Sequence, residues 1–183
     1  MDDQTFQKVN FKENALEAEY DTCLFDSCDF SEMSLHDIRF NDCEFRRCNF
    51  SLCKLTCNLN VAKFIECKFT GADFTNIGSL SGSLSFEKSL MDYVSFVQLK
   101  MKKSSFVDCN LREAYFDEAD LTASVFRECD LLRTSFNKTN LEKVDFSTSF
   151  NFTINPNGNK LYKTIFSEDG LRGLVAHLNI IIK

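Results

Sequence analysis

Nine cysteines stand among the 183 residues of this chain, and they are the first side chains that could do chemistry. Cysteine thiolates hold zinc when four ligands converge on one point. Here Cys23, Cys28, Cys43, Cys48, Cys53, Cys57, Cys67, Cys109 and Cys129 recur at spacings such as five, four and ten, strung along the chain. His36 and His177 are the only histidines, and no Ser, His and acid trio is indicated. No glycine-rich loop follows a strand and opens a helix, as a phosphate cradle requires. Acid pairs such as Asp117–Glu118 suit solvated positions better than general acid–base work. Neither enzymatic activity nor a metal or cofactor is expected.

What the cysteines share is a place in a repeat. In SFVDCNLREAYFDEADLTASVF (105–126), Phe106, Leu111, Phe116, Leu121 and Phe126 fall every fifth residue. Five is neither the period of a helix nor that of a strand. Large apolar centres begin at Phe6, Phe11 and Leu16, then slip by one to Tyr20 and continue at Phe25, Phe30, Leu35, Phe40, Phe45, Phe50 and Leu55. They slip again at Leu59, Phe64, Phe69 and Phe74, and after a disturbed stretch run from Phe86 to Phe146. All nine cysteines lie two residues before a centre, across both slips. Each unit therefore alternates a small and a large inward site, as strand geometry requires. The cysteines are expected to be buried core residues and unreactive.

Every fourth centre is the same residue: Phe6, Phe25, Phe45, Phe64, Phe86, Phe106, Phe126 and Phe146. The physical repeat is thus four units, about 20 residues. This predicts an all-β protein, a right-handed quadrilateral β-helix in which each unit makes one side. About seven coils stacked at roughly 4.8 Å make a rod roughly 35 Å long. The small sites are needed because two large side chains per side would overfill the interior. Residues 1–150 are expected to form the β-helix and 151–183 a C-terminal capping or dimerisation segment.

NIGSLSGSLS (76–85) sets Phe74 and Phe86 twelve residues apart, where two units need ten. Gly78, Ser79, Leu80, Ser81 and Gly82 are expected to form a bulged loop projecting from a corner, either a tolerated insertion or a contact for a partner. Past Phe150, NPNG signals a turn. Ser167 is the expected cap of a short helix with Glu168 and Asp169 in its first turn. Leu171, Leu174, Val175 and Leu178 share one apolar face, and Ile180, Ile181 and Ile182 read as a short strand. This tail either covers the open end of the coil or forms a two-fold dimer interface through Leu171, Leu174, Leu178, Ile180 and Ile182.

A net charge of −6 disfavours non-specific binding to nucleic acid or to an anionic membrane. Residues 1–45 hold twelve acids and three bases, residues 46–103 four acids and nine bases, and residues 104–183 eleven acids and nine bases. Polarity therefore runs along the rod, from an acidic N-terminal end to a basic waist that includes Lys100, Lys102 and Lys103. MDDQTFQKVN is too polar for a signal peptide, and no apolar run reaches membrane-span length, so a cytoplasmic location is expected.

Units such as CDFSE (28–32), ADFTN (72–76), CNLRE (109–113), ADLTA (119–123) and VDFST (144–148) resemble the pentapeptide-repeat family, whose units follow small–Asp/Asn–Leu/Phe–Ser/Thr–any. The tail FSEDGLRGLVAHLNIIIK resembles the C-terminal helix and strand of the quinolone-resistance (Qnr-type) members. That resemblance implies a tail-to-tail homodimer that binds type II DNA topoisomerase, gyrase or topoisomerase IV, as a mimic of duplex DNA. Such a protein protects the enzyme from a fluoroquinolone or a peptide toxin. The resemblance places the contacts at Gly78–Gly82 and at the acidic corners Asp26, Asp29, Glu32, Asp37 and Asp42. The mixed charge departs from a uniformly acidic mimic. A pentapeptide-repeat scaffold with an unrelated protein partner is the alternative.

Overall fold

The computed structural model describes residues 1–178, Ile180 and Ile181, with the backbone alone at Ser79 and Ser81. The chain winds into a four-sided β-solenoid whose described coils pair in parallel. Strands β1 (Thr5–Gln7), β2 (Glu19–Asp21), β3 (Leu24–Asp26), β4 (Ser34–Arg46), β5 (Lys54–Ile65), β6 (Ser79–Glu87), β7 (Ser105–Val107) and β8 (Val125–Arg127) form one sheet. Its order is β1-β3-β4-β5-β6-β7-β8, with β2 beside β4. Single parallel bridges such as Asn110↔Asp130, Tyr115↔Ser135 and Asp120↔Asn140 continue the other sides. Register sets centre on centre: Phe6↔Phe25, Phe25↔Phe45, Phe45↔Phe64, Phe64↔Phe86, Phe86↔Phe106 and Phe106↔Phe126.

This register builds the core. From Phe6 to Phe166 each ring of the phenylalanine column stacks on the next at 4.6–5.6 Å, tilted by 23° or less. Rings of neighbouring columns meet edge to face, as Phe106 does with Phe96 and Phe116 at 6.0 and 5.7 Å. Both geometries suit the aromatic quadrupole. The small inward sites bond along the axis. The thiols of Cys43, Cys48, Cys67 and Cys129 each lie 3.4 Å from a carbonyl of the preceding coil. Ser124, Thr134, Thr139 and Ser149 donate to such carbonyls at 2.7–3.2 Å. All nine cysteines are buried and unbridged.

Corners explain the outward part of each unit. The Asp or Asn before a centre accepts from the amide just after it, as in Ser31 to Asp29 at 2.9 Å, Thr75 to Asp73 at 2.8 Å and Ser147 to Asp145 at 2.9 Å. The following Ser or Thr hydroxyl donates to the same oxygen in Ser51, Thr75 and Thr122. One residue later the backbone turns left-handed, with φ near +50 to +60° in 25 non-glycine residues. This conformation costs about 1–2 kcal/mol for an L-residue. It is offset because the same amide donates to the next coil, as Lys8 does to Asp26, Glu32 to Ser51 and Glu118 to Asn137.

The expected loop at 76–85 does not project. β6 pairs with β5 through Asn58↔Ser79, Leu59↔Leu80 and Asn60↔Ser81, then resumes at Ala62↔Leu84. The surplus over β5 is therefore split. One extra residue sits opposite Val61, where Gly82 adopts φ +96°, and the remainder lies between Asp73, paired with Lys54, and Ser79. Each surplus is small enough for a bulge, so the backbone keeps its partners.

The far end also departs from expectation. Parallel pairing passes residue 150 through Asn140↔Lys160 and Asp145↔Ile165, so the last coil takes in part of 151–183. Helix α1 (Leu171–Val175) and a 3-10 turn (Ala176–Leu178) follow. The helix starts later than Ser167 predicts: its N-cap is Gly170, so Glu168 and Asp169 precede it, while the Ser167 hydroxyl accepts from the Gly170 amide at 3.1 Å. Docking dictates this. A Cβ at Gly173 would stand 2.2 Å from the Phe152 carbonyl oxygen, and the Ile154 amide donates to the Gly173 carbonyl at 3.2 Å. The glycines that weaken an isolated helix let this one lie on the coil. Among the described residues Ile180 and Ile181 belong to no strand, and Ile182 lies outside them.

Phe106→Ala, at a fully buried ring, should cost about 3–5 kcal/mol in urea unfolding, and a loss near zero would overturn the stacked ladder. Gly173→Ala should lift the cap, read as faster hydrogen exchange at the Ile154 amide. Burial pushes the Cys43, Cys53 and Cys57 thiols from an ordinary 9.0 up to about 12. The unfolded chain then ionises first, so stability should be intact below pH 9 and fall as pH rises toward 12. Native thiols should meanwhile resist a thiol reagent that labels the unfolded chain.

Candidate interaction surfaces

The five acids singled out at the N-terminal end do not converge. Asp26 follows Phe25 and Asp29 precedes Phe30, whereas Glu32, Asp37 and Asp42 occupy left-handed corner positions after Phe30, Leu35 and Phe40. The sixteen residues from Asp26 to Asp42 cover most of a coil of about twenty, so these acids are spread over successive sides of the rod. Several are already engaged. Asp26 accepts from Arg47 Nη2 of the next coil at 2.6 Å. Glu32 faces Lys12 at 3.7 Å. For Asp29, burial opposes ionisation, but the Ser31 amide and hydroxyl, Lys12 and Asn49 together hold its carboxyl below the usual range. Asp37 and Asp42 are exposed.

Of the inserted stretch, Gly78 and Gly82 face solvent while Leu80 is half-buried against the core. It offers a bulged strand, not a flexible arm. At the C-terminal end the expected apolar face is divided. Leu174 packs against the core with Phe166, whereas Leu171, Leu178 and Ile180 remain 51, 52 and 57% exposed. Tyr162 and Ile165 of the last coil add exposures of 62 and 51%. Intramolecular capping and an outward apolar surface thus coexist in one short segment.

Two further features lie on the sides of the rod. Leu90, Asn110, Asp130 and Phe150 form one outward column, and with Lys88 and Arg112 they border a shallow recess of about 310 Å³. Arg112 Nε donates to Asp130 Oδ2 at 2.7 Å and Asn151 Nδ2 to Asp130 Oδ1 at 2.9 Å. Burial resists ionisation of Asp130, yet Asn151, Arg112 and the Leu132 amide hold its carboxyl low. Burial pushes the Asp92 carboxyl up beside them, against the pull of Arg112. The second feature is a set of lysines continuing the basic waist down one side, through Lys143, Lys160 and Lys163. Sequence reasoning missed Lys160 and Lys163 as members of this side because the repeat was taken to end near Phe150; a count carried to Phe166 in the same phase places them below Lys143. Among the described residues no three His, Cys, Asp or Glu side chains gather as metal ligands, and no helix is long and apolar enough to cross a membrane.

Comparison with known proteins agrees with this architecture. No curated protein matches the chain in sequence. Solved structures match along its whole length. A trypsin-treated variant of QnrB1, a plasmid-mediated fluoroquinolone resistance protein, is 17% identical with a TM-score of 0.54, covering 100% of this chain and 98% of that one. A second QnrB1 variant is 16% identical with a TM-score of 0.50, covering 99% of each. At such identity the likeness is one of fold. Family models described as a pentapeptide repeat region and as pentapeptide repeats (8 copies) match residues 78–146 and 23–56, together more than half of the sequence. The chain belongs to the pentapeptide-repeat family.

Proposed function

We propose that this rod binds a type II DNA topoisomerase and protects it from a fluoroquinolone or a peptide toxin, acting as a homodimer joined through its C-terminal ends. The observation that carries the reading is the extent of the likeness to QnrB1, which covers the tail as well as the coils. The tail matters because a bare coil is common to the family, whereas a helix seated on the last coil with apolar residues left outward is a device for joining two rods. A two-fold contact of Leu171, Leu178 and Ile180 with their copies covers those side chains. The N-terminal coils, with twelve acids among residues 1–45, are the part that takes the place of DNA. Opposite charge then steers that end toward a DNA-binding channel. The rod works by occupying a surface.

Mixed charge on the other coils favours a second reading, an interaction scaffold for a different protein. A supercoiling assay separates the two. Added protein should restore gyrase activity in the presence of a fluoroquinolone at amounts up to equimolar. Neither rescue nor inhibition at large excess would remove the topoisomerase reading and leave the scaffold. Dimerisation is tested by Leu178→Asp, which should give a monomer by sedimentation while the circular dichroism of the coil persists. A dimer surviving this change would place the interface elsewhere. Leu174→Asp is less informative, since Leu174 belongs to the cap.

A further inference from the structure

Among the four sides of the C-terminal half, one carries a clear excess of positive charge. Its register is given by the bridges Lys100↔Asp120, Asp120↔Asn140 and Asn140↔Lys160, and by the Lys103 and Lys143 amides bonding to the carbonyls of Thr122 and Tyr162. Lys100, Lys102 and Lys103 stand at one end of this face, and Lys143, Lys160 and Lys163 at the other. Its acids are Asp120 and Glu142. All six lysines are exposed. Of these six, among the described residues, Lys102 alone is in an ion pair, with Asp120 at 3.2 Å, and Lys163 lies over the Tyr162 ring at 5.3 Å. The upper coils differ: Arg39 and Arg47 reach Glu19 and Asp26 of the preceding coil, and Lys63 reaches Glu44. These cations, with Lys12 and Arg46, are the upper-coil charges matched within the rod, while among the described residues Lys8, Lys54 and Lys68 stand singly on different sides. On the lower face cations are left for something else.

The size of the face points to its occupant. The rows at Lys100 and Lys160 are three coil steps apart, about 14 Å at strand spacing. An extended peptide spans that distance with four or five residues at about 3.3 Å each. A nucleic acid duplex fits less well. Its charge extends far beyond the face, and along the rod it meets the acidic coils of residues 1–45, which repel it. We propose that this face docks a short, acidic, extended segment of a partner protein. The docking does not depend on which protein that is.

The test is fluorescence anisotropy with a labelled hexaglutamate peptide, beside a labelled short DNA duplex. Lys100→Glu with Lys103→Glu, and separately Lys160→Glu with Lys163→Glu, reverse charge at the two ends of the face. Lys103 and Lys163 are left-handed corner residues, and glutamates already occupy equivalent corners at Glu32, Glu66 and Glu113, so the coil accepts the change. Lys54→Glu with Lys68→Glu alters charge on other sides. The peptide should bind at low salt, each pair on the face should weaken it by about tenfold or more, and the control pair should leave it unchanged. The proposal is overturned if the control weakens binding equally, if the duplex binds more tightly than the peptide, or if the peptide does not bind.

Discussion

One left-handed residue at almost every corner determines the rest of this molecule. It bends the chain after each five-residue side and aims its own amide at the next coil. With the corner placed, the centre must face the axis and the residue two before it must do the same. The Asp or Asn beside the centre then finds the amide that its carboxylate or amide oxygen accepts from. The ladder of rings, the thiol and hydroxyl contacts between coils and the outward columns are all consequences of that turn recurring in phase. Strain is spread thinly over many corners instead of being stored at one site, as happens in many enzymes.

Such a construction separates the work of folding from the work of recognition. Inward positions are constrained by volume and stacking, with voids and overfilling both unfavourable. Outward positions beside the centre and at the corners answer only to local bonding and solvent. Charge can therefore vary from side to side without disturbing the core. In this chain it varies strongly, with several ion pairs between the upper coils, a concentration of lysines on one lower face and apolar side chains left outward at the C-terminal end. These groups are held at fixed places on a repeating lattice.

The core was legible because Phe and Cys recur at fixed offsets and each has one reason to be there. The left-handed corners were not, since residues as different as Leu52, Val61, Asp37 and Lys103 occupy them; the conformation is imposed by coil pairing and leaves little mark on residue type. The stretch 76–85 was misjudged for a related reason. A count of extra residues does not say whether they leave the coil together or divide between two bulges. In the tail, Gly170 and Gly173, which would weaken an isolated helix, are sites of close approach to Phe152, a contact visible only once the coil end is built. The acids from Asp26 to Asp42 are near one another in sequence but lie on successive sides, because their separation covers most of a coil of about twenty residues.

Coil partners along this rod lie about twenty residues apart, as Phe106 and Phe126 do. Each coil therefore needs only the one before it as a template, and its loop closure costs about the same wherever it occurs. Chain emerging from a ribosome can be laid down in order, every new turn completing the edge left by the last. The C-terminal helix arrives after all of them. It ends a process that the repeat alone has no means of stopping, so the length of the rod is set in time as well as in space.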